Sequence, residues 1–463
     1  MRTLILFLLI VALGPAKAQT GSVLSFGEYL GYVKSFHPIV KQADLLIGQS
    51  EAGLMRARGA FDPKLELDYD RKEFKNTEYY DKLNATFKVP TWYGVELKAN
   101  FENNTGDYLN PELRVPEDGM YSVGVSVSLA KGLFMNERMA VLKQAKFFRE
   151  RALAERQLLV NDILFEASIA YFAWLRAYND KEVYESFLSN ASLRFEGIKR
   201  SYEEGEIPAI DTLEAGITVK NRKLELEKAR IAFLKATLEL SNFLWLQDEI
   251  PVELQEDVIP DTGTETSIDG VLNISPMAID TLSLEDHPKM RSLDLKYQSL
   301  QVEKRWKTND LLPRVDLEYN FLSDSFGDFN AIPGSNYKTG LRVSFPLFLR
   351  KERGDLKLTR LKMQDTELEI KATELTLKNK IEALGQEIVS YQAQTELTRD
   401  MVTDYEAMLV AEERKFQLGE SLLFLINSRE SKLIESKLKA IEVENQLFVA
   451  KTRLFQMLGN IAL

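Results

Sequence analysis

The stretch RSYEEGEIPAIDTLEA, residues 200–215, contains a glycine turn that recurs in RKFQLGESLLFLINSRE, residues 414–430. In both stretches an arginine lies two positions before an aromatic residue, and Gly-Glu follows after two intervening residues. Glycine adopts without strain the left-handed conformation that ends many helices, and arginine in the last turn favours the negative end of the helix dipole. Each stretch is therefore predicted to reverse the chain between two helices, with Gly205 and Gly419 at the left-handed position.

The helices that lead into these turns are unusually long. Between Arg138 and Gly197 there is neither proline nor glycine, and between Asp355 and Leu418 only Gly385 interrupts the helical pattern. At 1.5 Å per residue, each stretch forms a rod of roughly 90 Å. The segments after the turns repeat apolar residues every seven positions, the pattern of a helix that packs along another helix. These residues are Leu224, Ile231, Leu238 and Trp245 after the first turn, and Ile434, Ile441, Phe448 and Phe455 after the second.

Further landmarks recur in the same order, which indicates an internal duplication. His37-Pro38 recurs as His287-Pro288, and FDPKLELDYD at 61–70 recurs as LLPRVDLEYN at 311–320. The predicted units are a signal peptide over 1–18, a first repeat over 19–250, a linker over 251–283 and a second repeat over 284–463. After a short N-terminal helix, the elements predicted in the first repeat are strands over 63–130, a long helix over about 136–201 and a return helix over about 209–250. Those predicted in the second are a helix over about 286–308, strands over 312–347, a long helix over about 355–418 and a return helix over about 420–458.

The N-terminal residues MRTLILFLLIVALGPAKAQT have the charge, the short apolar run and the Ala-Lys-Ala cleavage site of a secretory signal peptide. We therefore expect an exported protein whose mature chain begins at Gln19. The sequence contains no cysteine, which argues against disulfides and against a lipid anchor on the mature N-terminus. No later apolar run reaches the length expected of a membrane-spanning helix.

Composition argues against several functional classes. The net charge is −11 and no basic stripe offsets it, so nucleic acid is not an expected partner. The two histidines each precede a proline, which is typical of a chain entering a helix, and they are too few for a histidine-rich metal site. Patterns of a nucleophile elbow or a phosphate-binding loop are absent. We predict no catalytic, cofactor-binding or metal-binding residues, no cofactor, and no enzymatic activity.

Strict alternation of apolar and polar residues separates the helical segments, as in YSVGVSVSL at 121–129. About four such runs occur in the first half and two in the second, and this period is typical of amphipathic strands. The strands fit either a half-buried sheet in a soluble periplasmic domain or a share of an outer-membrane barrel. The long rods favour the barrel. Since four to six strands cannot close a membrane barrel, that interpretation requires several chains.

The duplicated order of strands, long helix, glycine turn and return helix resembles the TolC-type outer-membrane efflux family. The motifs YEEGEIPAIDTLEA and FQLGESLLFLINSRE resemble that family's tip signature. The resemblance implies an α+β membrane protein, a homotrimer whose four strands per subunit form a twelve-stranded outer-membrane β-barrel. A long antiparallel α-helical coiled-coil tunnel would continue this barrel into the periplasm.

The same resemblance implies a passive conduit with a gated periplasmic entrance. Its expected partners are outer-membrane lipid, a periplasmic adaptor (membrane fusion protein) and an inner-membrane transporter of RND, ABC or MFS type. The expected cargo is either small molecules, such as drugs and toxic compounds, or secreted polypeptides, as in type I secretion. A periplasmic coiled-coil adaptor or scaffold without a pore is the alternative, because it would share the rods but not the lipid-compatible strands.

Two features depart from the family pattern. The strand-like runs at 82–90 and 93–102 are additional; they could enlarge the barrel or form a hairpin outside it, and we favour the hairpin. Where family members carry acidic gate residues on the second tip helix, the second repeat has Phe424 and Asn427, whereas the matching first-repeat positions are Asp211 and Glu214.

The candidate site residues fall into two groups at the turns. The predicted adaptor-docking residues are Arg200, Tyr202, Gly205, Glu206, Arg414, Phe416, Gly419 and Glu420, with both aromatic side chains packed under their turns. The predicted entrance-gate residues are Asp211, Glu214, Phe424, Asn427, Arg429 and Glu430. Arg429 within reach of an acid such as Asp211 or Glu214 would form a charge-assisted tether between adjacent tips.

Overall fold

The computed structural model describes residues 22–255, 257–274, 284–327 and 336–459. The predicted signal peptide and Gln19 lie outside the described residues. The helices are α1 (Phe26–Phe36), α2 (Pro38–Arg58), α3 (Glu137–Glu203), α4 (Ala209–Ser241), α5 (Thr264–Val271), α6 (Pro288–Asn309), α7 (Arg350–Gln417) and α8 (Leu423–Leu458). The strands of the main sheet are β1 (Lys64–Phe74), β2 (Thr77–Pro90), β3 (Val95–Thr105), β4 (Met120–Ser128), β5 (Arg314–Ser323) and β6 (Tyr337–Ser344).

Both His-Pro pairs begin a helix, as the sequence predicts. His37 is the N-cap of α2 and its Nδ1 accepts a hydrogen bond from the Ile39 amide at 3.2 Å. His287 is the N-cap of α6 and its Nδ1 accepts from the Lys289 amide at 3.1 Å. The following proline occupies the first helical turn in both cases, where its missing N–H has no intrahelical partner to lose.

The helices form one layer, with α3 in its middle. The principal neighbours of α3 are α4 and α8 along the part that leads to the tips, and α2 and α6 along the part nearer the sheet. Helix α7 packs on α8 and on α6. Helices α4 and α7 therefore form opposite edges of the layer, and they measure 33 and 68 residues.

The largest core cluster lies around the middle of α3. Trp174, Tyr171 and Phe172 are fully buried there, with Phe26 from α1 and Phe455 from α8. The Trp174 indole Nε1 donates a hydrogen bond to Thr237 Oγ1 at 3.0 Å, and the Tyr171 hydroxyl donates to the Leu24 carbonyl at 2.9 Å. Each such side chain contributes about 1.5–3 kcal/mol through burial, and its polar atom keeps a partner. This cluster holds the two repeats together.

One 18-residue window of α3 is apolar and long enough to cross a membrane by composition alone, contrary to the expectation from sequence. More than half of that window is buried inside the protein. Its apolar character reflects a helix in the centre of the fold, where other helices cover it on several sides.

Two predicted boundaries are wrong. Helix α4 ends at Ser241 rather than near 250, because Trp245–Leu246 turns back to pair with Ile250–Pro251 as a two-residue antiparallel ladder. The segment over 251–283 is more than a linker: Ile259–Pro260 pairs in parallel with Val23–Leu24, and α5 buries Ile268 completely in the main core. The remaining linker residues 275–283 lie outside the described part of the chain.

The six main strands form one antiparallel sheet in the order β6-β5-β4-β3-β2-β1. The two repeats meet where β4 pairs with β5. Strands β2 and β3 lie between β1 and β4, so within one chain the two additional runs belong to the same sheet as the other strands, which favours their joining the barrel over the predicted hairpin outside it. Their apolar rows explain the placement: Phe87, Ala99 and Val123 lie in one cross-strand row, which extends the apolar face without a break.

Candidate functional site

One face of the sheet is apolar across all six strands. Its exposed members include Leu65 and Leu67 on β1, with 75% and 66% of their surface accessible, and Leu341 and Val343 on β6, with 65% and 62%. Within the described residues, the principal packing partners of each strand are the neighbouring strands. A soluble sheet would cover such a face with helices, because an exposed apolar surface of this extent is unfavourable in water. The apolar face is therefore suited to lipid.

The opposite face is polar and carries cross-strand ion pairs. Lys98 Nζ on β3 lies 3.2 Å from Glu318 Oε1 on β5, and Ser128 Oγ on β4 donates a hydrogen bond to Asp316 Oδ1 at 2.8 Å. Lys88 on β2 pairs with a carboxylate of β1 in the same way. Alternation of a lipid-compatible face with a polar face is the arrangement of a membrane barrel around an aqueous lumen.

Aromatic side chains lie at both ends of the sheet. At the end farthest from the helices, Tyr79 stacks on Tyr108 with ring centroids 4.6 Å apart. At the end that joins the helices, Phe61 stacks on Trp92 at 5.5 Å. Tyrosine and tryptophan favour the two interfaces between hydrocarbon and water. Their positions match the two borders of an apolar band.

The two glycine turns have the same geometry. Gly205 and Gly419 have φ angles of 79° and 76°, which confirms the predicted left-handed conformation. The next amide, Glu206 or Glu420, donates a hydrogen bond to the carbonyl five residues back at 2.8 and 2.9 Å. The glycine amide donates to the carbonyl of Tyr202 or Phe416 at 3.0 Å. These bonds form the Schellman motif that closes a helix C-terminus.

The two aromatic residues of the turns differ in burial. Phe416 packs under its turn against the cluster of Ile198, Ala215 and Leu423, as predicted. Tyr202 does not: 45% of its surface is exposed, and it lines an apolar cleft of about 530 Å³. Tyr202 stays exposed because Ile207, which follows the first turn, packs against the same buried cluster in its place. The other predicted docking residues, Arg200, Glu206, Arg414 and Glu420, are exposed.

The predicted gate residues divide into several environments. Phe424 is 65% exposed, and Asp211 is half-buried on α4. Asn427 Nδ2 donates a hydrogen bond to Glu214 Oε1 at 3.0 Å and thus joins α8 to α4. Arg429 Nε lies 3.6 Å from Glu412 Oε2 on α7.

Within one chain, therefore, Arg429 pairs with Glu412 rather than with Asp211 or Glu214. The tether between adjacent tips stays a prediction for the tips of neighbouring subunits. Side chains two positions apart on a helix point to nearly opposite faces, so Asn427 and Arg429 cannot both face α4.

A buried charge cluster joins the two helical hairpins, and sequence reasoning placed only one of its members. Glu430 on α8 is fully buried. Its Oε2 lies 2.6 Å from Arg194 Nη1 on α3, and its Oε1 lies 3.3 Å from Arg222 Nε on α4. Arg194 also reaches Glu413 Oε1 on α7 at 3.0 Å. The cluster thus involves all four long helices. The available sequence signal is the position of Glu430 on the apolar row of α8, four residues after Ile426 and four before Ile434.

Apolar stripes remain exposed on both edge helices. The seven-residue seam of α8 packs inside the chain, with Ile434, Phe448 and Phe455 buried. The corresponding seam of α4 is not covered within the chain, because Leu224 and Ile231 are 55% and 53% exposed. Helix α7 has a comparable exposed row at seven-residue spacing, formed by Leu361, Leu368 and Leu375. A seam of this type packs against another helix.

No group of three or more histidine, cysteine or acidic side chains is arranged to hold a metal ion among the residues that the structure describes. His37 and His287 are occupied as helix caps.

Comparison with known proteins identifies the same architecture. Residues 281–460 match the family model described as Outer membrane efflux protein. No curated protein matches the chain. The outer membrane protein VceC from Vibrio cholerae is 14% identical, with a TM-score of 0.66 over 94% of this chain and 96% of that one.

The Campylobacter jejuni CmeC outer membrane channel is 12% identical, with a TM-score of 0.65 over 94% of this chain and 85% of that one. The open state of the Neisseria gonorrhoeae MtrE outer membrane channel is 12% identical, with a TM-score of 0.62 over 94% and 89%. At such identities these structures share the fold with this chain. Together with the family match, they confirm the resemblance to TolC-type outer-membrane efflux proteins.

Proposed function

We propose that this protein is the outer-membrane channel of an efflux system. It lies in the outer membrane and extends into the periplasm. The observation that carries the proposal is the uncovered apolar face of the sheet, bordered by aromatic residues and continued by a layer of long helices. The sheet crosses the membrane, and the helices form the wall of a periplasmic tunnel.

Assembly of several chains follows from the edges of both layers. One chain leaves β1 and β6 as open sheet edges, and it leaves apolar stripes on α4 and α7. In lipid, each unpaired backbone group costs several kcal/mol, so the sheet edges must pair. Two different complementary edges form a closed ring by head-to-tail contacts. We infer a homotrimer, in which α4 of one subunit packs against α7 of the next.

The two Schellman turns lie at the ends of the helices away from the sheet, and they share the same backbone geometry. In a trimer they form a ring of six tips, which suits a periplasmic adaptor that links the channel to an inner-membrane transporter. The docking residues are the exposed positions Arg200, Tyr202, Gly205, Glu206, Arg414, Gly419 and Glu420, together with Phe416 beneath the second turn.

The periplasmic entrance is formed by the same ends of the helices. Asn427 and Glu214 hold α8 to α4, and Arg429 and Glu412 hold α8 to α7. The half-buried Asp211 and the exposed Phe424 complete the gate against a neighbouring subunit. The cargo is a small toxic compound or a secreted polypeptide, and the channel itself is passive.

Membrane fractionation with heat-modifiable gel mobility tests this function against a periplasmic scaffold. The mature protein should fractionate with the outer membrane and migrate as a compact oligomer in unheated samples. A soluble periplasmic protein whose mobility is unchanged by heating would contradict the proposal and favour the scaffold.

A further inference from the structure

We propose that three chains close into an eighteen-stranded barrel, with β1 of one subunit paired to β6 of the next. This inference rests on the proposed function and goes beyond the twelve strands that the family resemblance implies. It starts from the observation that the six main strands of the described residues form a single continuous sheet.

The two sheet edges are suited to each other in direction. Five successive antiparallel pairings separate β1 from β6, so the two edge strands run in opposite directions. Pairing β1 with the β6 of a neighbour therefore continues the antiparallel pattern around a ring. Every residue of β1 and of β6 is exposed in one chain, so no described element blocks either edge.

The side chains of the edges are complementary on both faces. The polar face of β1 presents Glu66, Asp68 and Asp70, whereas that of β6 presents Lys338 and Arg342 on either side of Gly340. An antiparallel register with Asp68 opposite Gly340 places Glu66 opposite Arg342 and Asp70 opposite Lys338. Opposite charges directly across two strands stabilise their pairing. The same register joins the apolar rows of the two strands on the outer face.

The width of the sheet matches the width of the helical layer. Six strands about 4.8 Å apart and tilted by roughly 40° occupy about 38 Å of a barrel wall. Four helices across the layer, at about 10 Å each, occupy about 40 Å. Three copies then give a barrel roughly 36 Å in backbone diameter, against roughly 24 Å for twelve strands of the same tilt. The wider barrel continues the tunnel without a constriction and admits larger cargo.

Cysteine pairs test the arrangement cleanly because the native sequence contains no cysteine. Asp68→Cys combined with Gly340→Cys should form disulfides between subunits in outer membranes and yield a covalent trimer. A cysteine at Gly340 meets no atom within 4 Å, so the substitution fits. Asp68→Cys combined with Thr339→Cys is the matched control and should not form a disulfide, because Thr339 lies on the other face.

A second cysteine pair distinguishes the eighteen-stranded barrel from a twelve-stranded one. Asn100→Cys and Ser122→Cys face each other across β3 and β4 and should form an intrachain disulfide. In a twelve-stranded barrel with the β2–β3 hairpin excluded, β4 would adjoin β1 instead, and this disulfide would be absent.

The inference is overturned if the second pair fails to link, if Asp68→Cys links to none of Lys338→Cys, Gly340→Cys or Arg342→Cys, or if cryo-electron microscopy shows twelve strands. Outer-membrane fractionation and heat-modifiable mobility are recorded on the same samples. A trimer in the outer membrane with twelve strands overturns this inference and leaves the proposed function standing, whereas a soluble protein overturns both.

Discussion

At the scale of single residues, Glu430 is a charge placed where the sequence pattern calls for an apolar side chain. Its carboxylate is buried between Arg194 and Arg222, so it joins α8 to α3 and α4 through charge-assisted hydrogen bonds. Loss of Glu430 is unfavourable, because it leaves the largely buried guanidinium of Arg222 without its carboxylate partner.

Replacing Glu430 should therefore destabilise the helical layer more than replacing an exposed acid. We expect Glu430→Ala to lower the free energy of unfolding by about 3–5 kcal/mol, since it leaves Arg222 without its carboxylate partner and Arg194 with Glu413 alone. Thermal unfolding in detergent measures the effect. Glu435→Ala on the same helix removes an exposed partner of Lys432 and is the control, expected to change stability by less than about 1 kcal/mol. Equal effects of the two substitutions would contradict the role of the buried cluster.

The two histidine caps make stability depend on pH. Burial lowers the pKa of His37 and of His287 from the ordinary value of 6.5, and each Nδ1 accepts a backbone hydrogen bond only when it is unprotonated. The unfolded chain takes up protons near pH 6.5, before the folded chain does. This contribution to stability is therefore complete above pH 6.5, falls as the pH drops below it, and levels off below the lowered folded pKa.

The double variant His37→Asn, His287→Asn should lose this dependence, because asparagine caps a helix without titrating. Between pH 7 and pH 5, the native protein should lose stability relative to the variant, by at most about 1.4 kcal/mol per pH unit for each histidine. Burial raises the pKa of Asp180 to about 6, so it titrates in the same window, and comparing the two proteins at each pH removes its contribution. Parallel stability curves would contradict the assignment.

At the scale of elements, the turns at Gly205 and Gly419 are defined locally, whereas the helix edges depend on neighbours. A Cβ at Gly419 would meet no atom within 4 Å, so a substitution there acts through its φ angle and its new surface.

A bulky residue at the second turn should prevent adaptor docking without preventing assembly. The left-handed backbone costs a non-glycine residue about 1–2 kcal/mol, which is too little to unfold a trimer. Gly419→Trp trimers should reach the outer membrane yet fail to cross-link to the adaptor and fail to export. Gly419→Asn is the control, because asparagine tolerates this conformation and adds a small side chain. Normal adaptor capture and export by Gly419→Trp would show that docking occurs elsewhere.

A charge on the exposed stripe of α4 should block assembly and leave the chain folded. Ile231 is 53% exposed in one chain, and we propose that it is buried against α7 of the next subunit. Ile231→Asp should convert trimers to monomers in native mass spectrometry, because a buried, unpaired carboxylate is unfavourable by several kcal/mol. Lys223→Asp changes an exposed residue of the same helix to the same side chain and should leave trimers intact. Stable Ile231→Asp trimers would contradict the interface.

These elements also show what the sequence can and cannot predict. The glycine turns and the His-Pro helix starts follow from local backbone chemistry, and the structure confirms them. The end of α4 at Ser241 does not follow from local chemistry, because no glycine or proline lies between Asn242 and Ile250. The packing of Phe243 and Leu244 on the core determines where this helix ends. Alternation in β2 and β3 predicts which face is apolar but not which strand is adjacent, since pairing depends on residues far apart in the chain.

At the scale of the whole molecule, the two layers have matching widths and matching open edges. A sheet with one uncovered apolar face needs lipid, and a sheet with two open edges in lipid needs copies of itself. The helices meet the same requirement through the stripes on α4 and α7. The proposed membrane insertion, assembly and tunnel would thus all follow from one arrangement of two repeats.

The central claim is that the assembled chains form a conducting path through a membrane, and single-channel recording in planar lipid bilayers tests it most directly. Purified native oligomers should insert and produce discrete conductance steps, whereas Ile231→Asp monomers at the same concentration should produce none. Native oligomers that insert into the bilayer, as judged by protease protection of the sheet, and yet carry no current at any voltage would contradict the account.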